Sequence, residues 1–170
     1  MRKKTIVIFL FCLCLIALLG GCRSKKENDR QQQKGTAVYY TNEQCSALVS
    51  VKKKVKLGKN AQKNVDLLLS QMQKNRKDSK YRSAIPKRII INSAKVNLNI
   101  VSVDFSVGYK KLNENEDLIC RAGIVYTLTQ LKGIDYVSFS IAGTPMFDTD
   151  GKVLGALGRD SFVFGNLPMK

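Results

Sequence analysis

Apolar residues recur with two different periods after residue 37, and each period predicts one kind of secondary structure. A spacing of three to four residues predicts one helix over residues 60–73 and a second over residues 114–132. Runs of β-branched and aromatic residues predict strands. These strands cover residues 37–41, 48–57, two strands within 89–107, residues 136–141, and a last pair at 146–147 and 152–154. The order β-β-α-β-β-α-β-β predicts a single compact α+β domain, with two helices packed on one face of a mostly antiparallel sheet.

A turn within residues 89–107 follows from the parity of the apolar positions. They are even as far as Ile100 and odd from Val101 onward. A regular strand with one buried face cannot change parity, so the segment must contain a turn. Asn97-Leu98-Asn99 is the predicted turn, because asparagine tolerates turn geometry. The sequence therefore predicts a β-hairpin here, and Asp148-Thr149-Asp150-Gly151 predicts a second tight turn.

The first 22 residues combine a basic start, a short apolar run and a cysteine. Residues 2–4 are basic, residues 6–19 are apolar, and Gly20-Gly21-Cys22 follows. The apolar run is shorter than the roughly 20 residues that a membrane-spanning helix needs, so the order is typical of a secretory signal. A cysteine after two glycines resembles the bacterial lipobox, which implies that the Cys22 thiol receives a diacylglyceryl group carrying fatty chains such as palmitate, and that the signal is then cleaved before Cys22. An ordinary signal with a chance cysteine and an uncleaved anchor are the alternatives.

The sequence thus predicts three regions. Residues 1–21 form a lipoprotein signal peptide, residues 22–36 carry the lipidated Cys22 and a flexible basic tether, and residues 37–170 form the folded domain. Residues 23–36 contain no large apolar side chain and cannot bury enough surface to fold. The predicted location is the extracytoplasmic face of a bacterial cell membrane, with the lipid as the anchor.

A strong positive charge suits an anionic neighbour, and surface lysines that serve only solubility are the alternative interpretation. The formal net charge is +16, and three of the basic residues lie in the signal. Phospholipid headgroups and wall polymers fit this charge, whereas export excludes nucleic acid as a partner. The segment between the two predicted helices is the preferred contact surface, and a solvated loop is the alternative interpretation. Its basic residues are Lys74, Arg76, Lys77, Lys80, Arg82, Lys87 and Arg88.

Residue types exclude several kinds of chemistry. The chain has no histidine, so Ser-His-Asp and Cys-His catalysis are impossible, and neither a metal site nor a cofactor is predicted. Cys45 and Cys120 could form a disulfide outside the cytoplasm. Cys120 lies in an apolar helical pattern, however, which favours a buried free thiol.

Carboxylates leave one enzymatic alternative, an envelope enzyme that hydrolyses peptidoglycan with paired acids. The acids lie at the start of the second helix, in the last turn, or in a strand. They are Glu114, Glu116 and Asp117, then Asp148 and Asp150, and finally Asp104. Helix starts and turns explain the first two groups structurally. No catalytic residue is therefore assigned, and a non-enzyme is predicted.

An ordered set of short segments resembles the Germane (GerMN) domain of bacterial sporulation and spore germination proteins. The segments are Val38-Tyr39-Tyr40, Leu48-Val49-Ser50-Val51, Val65-Asp66-Leu67-Leu68-Leu69, Ser83-Ala84-Ile85-Pro86, Val103-Asp104-Phe105-Ser106, Ile124-Val125-Tyr126-Thr127-Leu128-Thr129, and the residues from Val137 to Pro145. The resemblance covers nearly all of the predicted domain. It implies an interaction module of the cell envelope, related to sporulation or germination, that binds an envelope protein, an anionic wall polymer or a second copy of itself.

Overall fold

The computed structural model describes residues 35–74 and 80–162, which form two helices and seven strands. The strands are β1 (Thr36–Asn42), β2 (Leu48–Lys53), β3 (Tyr81–Ser83), β4 (Ile91–Asn97), β5 (Ile100–Phe105), β6 (Tyr136–Ile141) and β7 (Thr144–Pro145). The helices are α1 (Ala61–Gln73) and α2 (Glu114–Leu128), and short 3-10 helices occupy Val107–Lys111 and Arg159–Ser161. The predicted signal peptide, Cys22 and nearly all of the predicted tether lie outside the described residues.

The strands form two sheets. The first has the order β2-β1-β3 and is antiparallel throughout. The second has the order β4-β5-β6-β7, and only its β5–β6 pair is parallel. The helix α2 lies between β5 and β6 in the chain and supplies the crossover that a parallel pair requires. The α+β class and the mostly antiparallel pairing are confirmed.

The predicted single sheet with both helices on one face is wrong in detail. The helix α1 contacts β1 and β4, whereas α2 contacts β1, β2 and β6, so both helices touch both sheets. The strand β1 is buried on both of its faces. A strand that is buried on both sides carries no alternation of apolar and polar residues, and the sequence pattern alone could not show that it lies within a layered core.

Both helices start close to the residues predicted from the sequence, because an asparagine side chain caps each of them. The Asn60 side chain accepts a hydrogen bond from the Lys63 amide at 2.9 Å. At α2, Asn113 accepts from the Glu116 amide at 2.9 Å, while the Glu116 carboxylate accepts from the Asn113 amide at 3.2 Å. These bonds satisfy amides that have no partner within the helix. The helix α2 ends at Leu128, four residues earlier than predicted.

The end of α2 and the residues after it complete the edge of β1. Thr127 Oγ1 accepts from the Tyr39 amide at 3.1 Å. The Gln130 side chain accepts from the Ala37 amide at 2.9 Å and donates to the Ala37 carbonyl. The strand β3 pairs only with the last three residues of β1, so these side chains satisfy backbone groups that would otherwise be unpaired. The carboxyl end of α2 is therefore fixed beside the first residues of β1.

Most strand predictions are confirmed, and their errors have simple causes. The hairpin turn lies at Leu98 and Asn99, between β4 and β5, as predicted. The strand β2 ends at Lys53 rather than at residue 57, because its last partner is Thr36, the first residue of β1. The strand β3 was not predicted, since its three residues lie in a polar, basic segment. The last predicted strand pair is reduced to one bridge between Phe147 and Val153.

The structure also shows the state of the two cysteines of the domain and tests its helices for a membrane span. Cys45 and Cys120 are both free, so the disulfide alternative is contradicted, and burial raises the pKa of each thiol. Cys120 is completely buried, as its apolar helical surroundings predict. Within residues 35–74 and 80–162, no helix is long and apolar enough to cross a membrane.

Asp104 joins the three longer strands of the second sheet. Its carboxylate accepts hydrogen bonds from Ser140 Oγ at 2.6 Å, from Asn92 Nδ2 at 2.8 Å and from the Gly143 amide at 2.8 Å. These bonds favour the charged form and lower the pKa of Asp104 below its ordinary value. The side chain thus ties β4, β5 and the turn after β6 together.

Acid is expected to destabilise the wild-type chain more than an Asp104→Asn variant. Since the pKa is lower in the folded state than in the unfolded state, the carboxylate contributes stability above about pH 4, and this stability is lost as the pH falls through the folded-state pKa. Circular dichroism melts at pH 7 and at about pH 3 measure the effect. The fall in melting temperature between them should be smaller by a few degrees in the variant.

Glu43→Gln removes an exposed carboxylate in the turn after β1 and is the matched control. It should show the same fall in melting temperature as the wild type. An equal fall in all three proteins would contradict the role assigned to Asp104.

Candidate functional site

A cleft of about 360 Å³ opens between the start of α2 and the loop that follows β6. We call it the α2 cleft. It is lined by Tyr109, Lys110, Leu112, Asn113, Glu114, Asp117, Arg121, Ile141, Thr144, Pro145, Met146, Phe147 and Leu154. One side thus carries charged and polar groups, and the other is apolar. A few polar groups beside an apolar wall are typical of binding sites.

The polar side of the cleft is built around Asp117. Its carboxylate accepts a hydrogen bond from Tyr109 Oη at 2.7 Å and from Arg121 Nε at 3.0 Å, and a second guanidinium nitrogen lies 2.5 Å from it. Arg121 is one helical turn after Asp117, which places both on the same face of α2. Every one of these groups is held by another, so the arrangement is rigid.

Tyr109 anchors this cluster to the core. It is buried, and its ring stacks on Phe105 with 4.3 Å between the ring centroids. Burial, together with the negative charge of nearby Asp117, raises the pKa of Tyr109 far above its ordinary value. The hydroxyl therefore stays protonated and donates to Asp117. Since Asp117 already accepts from Tyr109 and Arg121, the cluster is suited to positioning a ligand rather than to proton transfer.

The apolar side of the cleft presents an exposed aromatic ring. Phe147 is 57% exposed, whereas its neighbour Met146 is only 8% exposed and packs into the core. The bridge from Phe147 to Val153 fixes this loop, and Asp148 Oδ1 accepts from the amides of Asp150 and Lys152, each at 2.9 Å. The predicted turn at residues 148–151 is thus confirmed, and it holds the Phe147 ring at the cleft.

The structure leaves the predicted basic contact surface only partly described. Cys22, Arg76 and Lys77 lie outside the described residues. The other members are exposed: Lys74 follows α1, Lys80 and Arg82 lie at β3, and Lys87 and Arg88 lie in the loop before β4. None of them lines the α2 cleft.

Arg88 has a structural partner. Its guanidinium donates to the Glu116 carboxylate at 2.5 Å, and this hydrogen bond lowers the pKa of Glu116 below its ordinary value. Glu116 also caps the start of α2. Arg88 therefore holds the loop before β4 against the helix, which makes it a weaker candidate for a contact with an anionic partner.

Sequence reasoning missed the α2 cleft. Asp117 and Arg121 were visible as a pair four residues apart, but such pairs are common on solvent-exposed helix surfaces. The exposure of Phe147 depends on how the loop after β6 folds, and no local pattern reports it. Tyr109 lay beyond the apolar run of β5 and gave no periodic signal.

A family model identifies the family of this chain, and solved structures share its fold. The family model "Germane: Sporulation and spore germination" matches residues 37–147. The first GerMN domain of the sporulation protein GerM from Bacillus subtilis has 16% sequence identity and a TM-score of 0.59, covering 74% of this chain and 98% of that chain. The tandem GerMN domains of the same protein have 17% identity and a TM-score of 0.55, with 75% of this chain covered.

This chain covers 47% of the chain in the tandem structure and so spans about half of its length. A putative lipoprotein from Clostridium perfringens is also similar, with 12% identity, a TM-score of 0.49, and coverage of 73% of this chain and 86% of that chain. At these identities the two GerM structures support the fold alone. No curated protein matches the chain in sequence.

Proposed function

Because the chain belongs to the Germane family of sporulation and spore germination proteins, we propose that it is a lipid-anchored interaction domain of the bacterial cell envelope. A lipid on Cys22 holds it at the extracytoplasmic face of the membrane. There it binds a protein partner through the α2 cleft. The sequence of residues 1–22 supports the anchor, and the geometry of the cleft supports the binding.

The exposed Phe147 ring beside a rigid polar cluster is the observation that carries the binding proposal. Burying such a ring against a partner removes apolar surface from water, and aromatic residues at the centre of an interface often dominate its affinity. The Asp117–Arg121 pair next to it supplies charged hydrogen-bonding groups that can fix the orientation of a bound segment. The cleft therefore suits a protein segment with an apolar side chain and a neighbouring polar group.

Binding explains the acidic residues better than hydrolysis of peptidoglycan does. Asp104 accepts three hydrogen bonds inside its sheet. Glu116 caps α2 and pairs with Arg88, and Asp117 accepts from Tyr109 and Arg121. A carboxylate pair for glycoside hydrolysis must reach the bond that is cut, and these three are held by their own neighbours.

Photo-cross-linking from the cleft tests the proposal. Benzoylphenylalanine in place of Phe147 is expected to capture one protein in intact cells. The matched control places the same group at Leu98, which is 89% exposed at the turn between β4 and β5. Leu98 lies at the opposite end of β5 from Phe105, which stacks on Tyr109 of the cleft. It should not capture that protein.

The captured protein is then purified and its affinity measured by calorimetry. Phe147→Ala should weaken binding by at least about tenfold, whereas Leu98→Ala should change it by less than about twofold. Equal capture at both positions would contradict the proposal. A product that a wall-degrading enzyme digests would indicate a wall polymer instead, and a product of twice the chain mass would indicate a second copy.

A further inference from the structure

A basic edge follows the first strand pair and has no role in the proposed cleft. We call Lys52, Lys54, Lys56 and Lys59 the lysine edge; all four are exposed. Val51 and Val55 alternate with Lys52, Lys54 and Lys56 and pack against the core, and Lys59 follows three residues after Lys56. The alternation turns the lysines outward, because side chains on either side of an inward-facing residue point away from it.

The charge of the lysine edge is locally uncompensated. Residues 44–65 contain six lysines and no acidic residue. The ion pairs found within residues 35–74 and 80–162 join Arg88 to Glu116 and Arg121 to Asp117, and neither includes a member of the lysine edge. Such a concentration of one sign attracts a surface of the opposite sign over about one Debye length, about 8 Å at physiological salt.

The chain enters the described domain beside this edge. Thr36 pairs with Lys53, and a Cβ on Gly35 would lie 3.0 Å from the Lys53 carbonyl oxygen. Gly35 and Thr36 line one shallow groove together with Lys54 and Lys56. The predicted tether therefore joins the domain at the lysine edge, and not on another side of it.

The membrane lies close to this point if Cys22 carries a lipid, as the proposed function requires. A coil of the length between Cys22 and Gly35 spans on the order of 20 Å on average. The anchor therefore keeps the lysine edge near the leaflet at high effective concentration. Basic residues beside a membrane are attracted to anionic headgroups, and the attraction grows with their number.

We propose that the lysine edge docks on the anionic phospholipid headgroups of the membrane that holds the anchor. Ala37 pairs with Lys52 and is bonded to Gln130, just after the carboxyl end of α2. The α2 cleft lies at the amino end of the same helix, about 20 Å away for a helix of this length. Docking through the lysine edge therefore leaves the cleft accessible to a partner.

Chemical labelling of lysines in vesicles tests the docking. The lipidated protein is reconstituted in phosphatidylcholine alone or in equal parts of phosphatidylcholine and phosphatidylglycerol, and each amine's acetylation rate is read by mass spectrometry. The lysine edge should react at least about threefold more slowly in the anionic vesicles, and the difference should vanish in molar salt. Lys95, on β4, should react equally in both.

A charge-matched pair of triple variants separates the edge from general attraction. Lys52→Gln/Lys54→Gln/Lys56→Gln should abolish the protection of Lys59 in anionic vesicles. Lys95→Gln/Lys110→Gln/Lys111→Gln removes the same charge from exposed positions elsewhere and should leave Lys59 protected. Equal labelling of the lysine edge in both kinds of vesicle, or loss of protection in both variants, would overturn the proposal.

Two further measurements distinguish a failure of membrane docking from a failure of the proposed lipid anchor. Protection by soluble poly(glycerol phosphate) but not by anionic vesicles would overturn membrane docking in favour of a wall polymer. The intact mass of the purified protein reports whether Cys22 carries a lipid. An unmodified Cys22 would refute the proposed anchor, whereas a lipidated protein with an unprotected lysine edge would refute the docking alone.

Discussion

Replacing Gly123 by valine is expected to lower the free energy of unfolding by about 3 kcal/mol. Gly123 is buried in the middle of α2. A Cβ atom on this residue would lie 2.8 Å from Ala84 Cβ and 3.4 Å from Leu48 Cδ2. The Ala84 side chain cannot rotate away, so the backbone of the helix or of residue 84 must move. Denaturant unfolding followed by circular dichroism measures the loss.

The matched control moves one methyl group from residue 84 to residue 123, by combining Gly123→Ala with Ala84→Gly. Gly123→Ala alone gains about 1 kcal/mol of helix propensity but meets Ala84 too closely. Adding Ala84→Gly removes the opposing Cβ, so the double variant should be more stable than the sum of the single changes by at least about 1 kcal/mol. If the free energy of unfolding of Gly123→Val lay within about 0.5 kcal/mol of the wild-type value, the close approach would be contradicted.

Local chemistry explains which parts of the fold could be predicted. Asn60 and Asn113 cap the helices through their own side chains, so both helix starts are readable within a few residues. The parity change between Ile100 and Val101 placed the hairpin turn correctly. Each of these signals comes from residues close together in the chain, where spacing and geometry are directly related.

The division into two sheets could not be predicted from local sequence signals. It depends on β3 pairing with β1 across about 40 residues, and on β6 pairing in parallel with β5 on the far side of α2. Strand pairing between distant segments is decided by packing of the whole domain, and propensities carry no information about partners. The α2 cleft could not be predicted for the same reason. Phe147 and Asp117 line one cleft only because the second sheet brings their distant segments together.

The helix α2 relates the two proposed surfaces. Its amino end carries Asp117 and Arg121 in the cleft, and Gln130, just past its carboxyl end, bonds to the first residues of β1. The buried residues of the helix lie between Ile119 and Leu128, and the Tyr109 hydroxyl holds Asp117 at its amino end, so the two ends cannot move independently without disrupting the core. Docking of the lysine edge, as proposed, therefore fixes the orientation of the cleft relative to the membrane as well as the location of the domain.

Changing Cys22 to alanine is expected to abolish lipid attachment and to move the protein from the membrane fraction to the medium. Each methylene of a fatty chain that enters the bilayer contributes about 0.8 kcal/mol, so the loss of the lipid removes most of the affinity for the membrane. The apolar run of residues 6–19 is too short to span the bilayer in its place. Metabolic labelling with radioactive palmitate, followed by fractionation, measures both effects.

Cys12→Ala/Cys14→Ala is the matched control, because it removes two thiols from the same apolar run and leaves Cys22 in place. This variant should keep both the label and the membrane location. A Cys22→Ala protein that still incorporated palmitate, or that stayed fully membrane-bound, would refute the anchor. Capture of a partner from position 147 would survive that result, since the α2 cleft is built entirely from residues of the folded domain.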